Sequence, residues 1–111
     1  MHFCFTAQYT PQALNAMLDD TATNRAEAIK KLLDAAGAKL VSLFNYPADG
    51  PGVMLIFDVP DPEMAPAIAA VAFAGGAIQN VKLTRLLVAE ELKSIQAKGR
   101  KLRAAYKPPG K

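Results

Sequence analysis

The side chains able to do acid–base, nucleophilic or metal chemistry are few. His2 is the only histidine and Cys4 the only cysteine, which excludes a histidine-pair metal site, a cysteine-cluster zinc site and an internal disulfide. Cys4 and His2 stand at i, i+2, a spacing that puts both on one face of a strand. Between two phenylalanines, however, a cysteine more often serves as a small buried hydrophobe. Asp58 closes an otherwise apolar run and shares its face with Met54 and Ile56. Alternation adds Thr6 and Gln8 from the first strand, and Asn80 and Lys82 from the last. Thr6, Gln8, Asp58, Asn80 and Lys82 are therefore the candidate ligand-binding set, a few polar groups beside the apolar walls of Phe44, Met54 and Ile56. A simpler use of the same residues is an Asp58–Lys82 ion pair that fixes the register of an interface. Taking the first and third strands as parallel puts His2 and Asp58 roughly 20 Å apart, too far for a dyad. No phosphate loop, dinucleotide fingerprint, serine elbow or EF-hand is present. No cofactor and no metal are expected.

Eight elements would position these residues. His2 to Tyr9 reads as a strand stopped by Thr10-Pro11. A short helical piece with Leu14, Met17 and Leu18 follows, then an amphipathic helix from about Asn24. In that helix Ile29, Leu32, Leu33 and Ala36 form one stripe, and Gly37 stops it. Lys39 to Tyr46 and Val53 to Val59 are strands joined through Pro47-Ala-Asp-Gly-Pro-Gly52. Asp61-Pro-Glu63 is a helix-start signal, with Pro66 predicting a kink or a later start near Ala65. Ile68, Val71, Ala72 and Phe73 make that helix's apolar side, and Gly75-Gly76 ends it. Ile78 to Leu87 is the fourth strand and Ala89 to Tyr106 a final helix.

The order is β-α-β-β-α-β with an appended helix, an α+β ferredoxin-like sandwich of strand order 4-1-3-2. Residues 1–88 form that domain, and residues 89–111 a basic amphipathic helix and Pro/Gly tail. The sheet face away from the helices holds either Leu40, Phe44, Tyr46, Met54 and Ile56 or, in the other register, Phe3, Phe5, Leu55 and Phe57. Either set is more apolar than a lone domain leaves exposed. The face is therefore expected to be covered by a second copy, giving a dimeric α/β-barrel.

Length, composition and charge narrow the classes further. The 111 residues suffice for one small core. No apolar run approaches the ~20 residues of a membrane span, and the N-terminus lacks a secretory layout, so a cytoplasmic location is expected. The net charge of +3 is unevenly spread. Residues 1–89 carry six Lys/Arg against eight Asp/Glu, and residues 90–111 carry seven against two. In the last helix Leu92, Ile95, Gly99, Leu102 and Tyr106 form a narrow docking stripe among lysines and arginines. With Tyr106 the single aromatic there, nucleic-acid binding is not expected.

Three stretches carry a family likeness: Tyr9-Thr-Pro11 leading into a short helix, Asn24 through Leu40, and Gly50 through Asp61. With the ending Ala104-Ala-Tyr-Lys-Pro-Pro-Gly110, they resemble the GYD-domain family, small proteins of the dimeric α/β-barrel group whose function is uncharacterised. The resemblance implies the ferredoxin-like fold, and the family usually has an acidic residue where Asp58 stands. Where the eponymous Gly-Tyr-Asp would stand, this chain has Gly50-Pro51-Gly52, so the tyrosine and the carboxylate are missing. The surviving Gly50 points to a turn role rather than a chemical one.

Two functions follow. One is a non-enzymatic homo-oligomer, with or without a small metabolite in the cleft between sheet faces. The other rests on fold analogy: a cofactor-free monooxygenase or isomerase acting on a small hydrophobic molecule, with Asp58 as base and Lys82 or Asn80 stabilising developing negative charge.

Overall fold

The computed structural model describes residues 1–47 and 50–111. Ala48 and Asp49, part of the expected turn after the second strand, lie outside the described residues. The elements are β1 (His2–Tyr9), α1 (Pro11–Asp19), α2 (Arg25–Ala35), β2 (Lys39–Tyr46), β3 (Gly52–Asp58), α3 (Met64–Ala74), β4 (Ile78–Leu86) and α4 (Ala89–Leu102), followed by a 3-10 turn at Arg103–Ala105. The sheet order is β2-β3-β1-β4, and each neighbouring pair is antiparallel. This is the ferredoxin-like α+β arrangement read from the sequence.

Local chemistry sets the helix ends. Thr10 caps α1 by accepting from the Ala13 N–H at 3.2 Å, with Pro11 at the first helical position. Its hydroxyl also lies 3.3 Å from the Gly76 carbonyl, tying the α1 start to the turn before β4. Asn24 caps α2 through the Glu27 N–H at 3.0 Å. α3 starts late, at Met64, one residue from the expected later start near Ala65, and Pro66 does not kink it because it falls within the first turn, where its missing N–H would have no helical partner. Asp61 stands one turn before α3 and accepts from the Glu63 N–H instead of capping the helix directly.

The core lies between one sheet face and the helices. Phe3, Phe5, Ala7 and Tyr9 of β1 alternate into it, as do Val53, Leu55 and Phe57 of β3, with Leu33 of α2 and Ala65 and Ile68 of α3. Phe3 and Phe57 stack with centroids 6.0 Å apart. The apolar side expected of α3 is corrected here. Met64, Ala65, Ile68, Ala69 and Ala72 face the core, whereas Val71 and Phe73 are exposed. A helix so rich in apolar residues has no polar face to orient it, so the short alanines that permit close approach to the sheet decide.

The opposite sheet face carries His2, Cys4, Thr6 and Gln8 of β1 and Met54, Ile56 and Asp58 of β3, all half-buried. Phe44 of β2 stands beside Met54 on this face with 60% of its surface exposed. Leu40, expected here, packs against the core instead: the β2–β3 register shifts between Leu40 and Ser42, which reverses its side.

α4 runs directly into the 3-10 turn and has no extensive packing on the sheet sandwich, and the molecule measures 59 × 35 × 22 Å. Its stripe lies open, with Leu92 45%, Ile95 50% and Leu102 68% exposed. The helix is anchored at its start, where Glu91 accepts from the Val88 N–H and pairs with Arg85. Among the described residues no helix is long and apolar enough to cross a membrane.

Candidate functional site

Four of the five candidate residues come together, and one does not. Thr6, Gln8, Asn80 and Lys82, with Tyr46 and Val81, line a shallow cleft at one end of the open sheet face. Lys82 stands opposite Thr6 across the β1–β4 ladder. Between Thr6 and Gln8 the register shifts, so that β4 spends an extra residue there. Asn80 takes up that bulge in the left-handed region, at φ 52°, a conformation asparagine tolerates better than most residues. Its amide lies 2.5 Å from the Gln8 carbonyl oxygen, closing a side-chain bridge across the bulge.

Asp58 is at the other end of the sheet. Because β1 and β3 run antiparallel, Gln8 pairs with Gly52 and Asp58 with His2, six residues or roughly 20 Å along the strand from the cleft. The expected parallel pairing was the error, and its correction reverses two conclusions. Asp58 leaves the polar cluster, and His2 becomes its direct cross-strand neighbour instead of a distant residue. Within this chain the Asp58–Lys82 ion pair does not form. Asp58 instead holds the Met1 ammonium at 2.7 Å, with its side chain 43% exposed. The same ammonium donates to the Val59 carbonyl at 3.1 Å. The hydrogen bond from the ammonium, opposed in part by desolvation and assisted by its charge and that of His2, holds the Asp58 carboxyl below the usual carboxylate range. A carboxyl shifted in that direction is a weaker base at neutral pH.

Tyr46 belongs to the cleft although the sequence reading placed it only on the face. It reaches across β3 because its partner Gly52 has no side chain: the Tyr46 hydroxyl donates to the Ala7 carbonyl at 3.0 Å, over the glycine. A Cβ on Gly52 would stand 2.1 Å from the Ala7 carbonyl oxygen and 2.8 Å from the Tyr46 hydroxyl. Gly50, at φ 83°, makes the turn into β3, and a Cβ there would meet the Gln8 side chain. The glycines of Gly50-Pro51-Gly52 thus shape the floor and rim of the cleft. The signal was the glycine opposite an aromatic, legible only once the register is known.

A second cavity, of about 120 Å³, lies on the helix side of the sheet, between α2, α3 and the strands. Phe5, Ile29, Leu32, Leu55, Ile68 and Ala72 are among its walls, and Tyr9 and Arg25 supply its polar groups. Sequence reasoning missed both, since Tyr9 reads as core and Arg25 as solvated helix surface.

Comparison with known proteins agrees with this architecture. No curated protein sequence matches the chain significantly. Among solved structures of similar fold is a 5-chloro-2-hydroxyhydroquinone dehydrochlorinase from Burkholderia phenoliruptrix, determined in complex with 2,5-dihydroxybenzoquinone. The match has a TM-score of 0.56 and 16% identity and covers 82% of this chain and 98% of that one, a likeness of fold. The family model of the GYD domain matches residues 3–96, which takes in all four strands and the first three helices. The chain therefore belongs to the GYD-domain family.

Proposed function

We propose that the protein is a non-enzymatic homo-oligomer that assembles through its open sheet face and holds a small metabolite in the cleft which assembly encloses. The observation that carries this reading is the exposure of Phe44, 60%, on a sheet face that also presents Cys4, Met54 and Ile56. Apolar side chains grouped on one flat surface are stabilised by removal from water at roughly 25 cal/mol per Å². A second copy supplies a matching surface by symmetry.

The exposed stripe of α4 supports the same reading. An arm that carries Leu92 and Ile95 away from its own body, with a surplus of five positive charges over residues 90–111, is complementary to a body whose residues 1–89 carry a surplus of two negative charges. In the assembly Thr6, Gln8, Asn80 and Lys82 are the ligand-contacting groups, with Lys82 the cation available to an acidic or carbonyl oxygen. Asp58, bound to the Met1 ammonium, has a structural role at the other end. That weakens the enzyme reading, which needs Asp58 as a free base.

Native mass spectrometry of the gently purified protein tests both halves. A multimer with a reproducible extra mass is the expected result. A bare multimer removes the ligand, and a monomer at micromolar concentration removes the assembly.

A further inference from the structure

The helix-side cavity is built as a ligand site in its own right. Its volume of about 120 Å³ is close to that of dry protein cavities, of about 150 Å³, that accept benzene. Its walls are aliphatic and aromatic apart from two residues. One is Tyr9, 8% exposed, whose buried hydroxyl has no hydrogen-bond partner. Buried hydroxyls are nearly always satisfied, and an unsatisfied one on the wall of a cavity marks the place of an absent polar atom. The other is Arg25, the first residue of α2, half-buried and engaged in no ion pair among the described residues. It is the only charged residue of the lining.

We propose that this cavity binds a small organic monoanion with an apolar body about the size of a single ring, its acidic group held by the Arg25 guanidinium and a second polar atom satisfying the Tyr9 hydroxyl. The apolar body is specified by Phe5, Ile29, Leu32, Leu55 and Ile68, and the single negative charge by the single unpaired cation. Guanidinium is suited to a carboxylate because its paired N–H groups match the two oxygens. The cavity is walled by residues of a single chain on the helix side of the sheet and shares none of them with the cleft on the open face. Binding here therefore needs no second copy, and the site is separate from the cleft of Thr6, Gln8, Asn80 and Lys82.

The test is a titration of the isotopically labelled protein with benzoate, 4-hydroxybenzoate and neutral benzyl alcohol, followed by NMR. Saturable shifts are expected at Ala28, Ile29 and Ala72 on the helix side, with benzoate bound more tightly than benzyl alcohol. Arg25→Gln should weaken benzoate by about tenfold or more and leave benzyl alcohol nearly unchanged. Tyr9→Phe should weaken 4-hydroxybenzoate more than benzoate. Ala72→Phe, which fills the cavity, should abolish all three. If Ala72→Phe unfolds the protein, Ala28→Leu at the same wall serves in its place. Shifts confined to Thr6, Lys82 and their neighbours, equal affinity in Arg25→Gln, or no saturable binding of either acid would each overturn the proposal.

Discussion

His2 of β1 stands directly opposite Asp58 of β3, and the Met1 ammonium closes the same corner at 2.7 Å from the carboxylate. Lys39 of β2 faces Asp58 from the other side. The N-terminal strand is thereby latched electrostatically to the sheet centre. The latch is half-exposed, so solvent screens it, and its effect is most visible in its pH dependence.

The Asp58 carboxyl is held below its ordinary value of 3.8, so its contribution to stability is fully present above that value and is lost as pH falls through the folded-state value. Asp58→Asn should lower the melting temperature at neutral pH, and the difference from wild type should shrink as the pH is taken below the ordinary carboxylate value of 3.8. Thermal melts of both proteins across that range check the sign. A difference that does not depend on acid would remove the latch.

Phe44→Asp should leave the monomer folded, since the side chain is 60% exposed, but should disrupt assembly. A charge placed on an apolar interface is left desolvated and unpaired, at a cost of several kcal/mol. Light scattering after size-exclusion chromatography reads the subunit number. An unchanged oligomer would move the interface elsewhere.

Gly52→Ala places a methyl group against the Ala7 carbonyl, 2.1 Å from its oxygen, and against the Tyr46 hydroxyl. Backbone cannot yield as a flexible side chain does, so a loss of about 2 kcal/mol or more is expected in urea denaturation. Tyr46→Phe, which removes only the hydrogen bond to Ala7, should cost about 1 kcal/mol.

Asn80→Ala should destabilise by about 1 kcal/mol more than Asn80→Gly, because both remove the bridge to Gln8 but only alanine resists a φ of 52°. The comparison isolates the bulge from the hydrogen bond. Equal losses would mean that the backbone strain at this position is unimportant.

Thr10→Ala removes the cap of α1 and the contact with the Gly76 carbonyl, and should cost about 1 kcal/mol. Thr10→Ser keeps the oxygen and should recover most of it.

What the sequence by itself determined is local. The alternation of Phe3, Phe5, Ala7 and Tyr9 against His2, Cys4, Thr6 and Gln8 sorted β1 into two faces, because side chains on a strand alternate regardless of its neighbours, but which face is core was left to the packing of the helices. Thr10-Pro11, Asn24 and the Gly75-Gly76 stop marked helix ends through capping chemistry that acts within a few residues. The element order then led to the ferredoxin-like sandwich, and the stretches around Tyr9, Asn24 and Gly50 to the family. Tertiary structure decided everything that depends on which strand meets which, and in what direction. Antiparallel pairing of β1 with β3 carried Asp58 away from Thr6 and Gln8 and set it beside His2. Shifts in register put Leu40 in the core and Asn80 in a bulge. The same folding brought Arg25 of α2 to a cavity it shares with Tyr9 of β1. Such contacts join residues distant in the chain, and periodicity within a single segment carries no information about them.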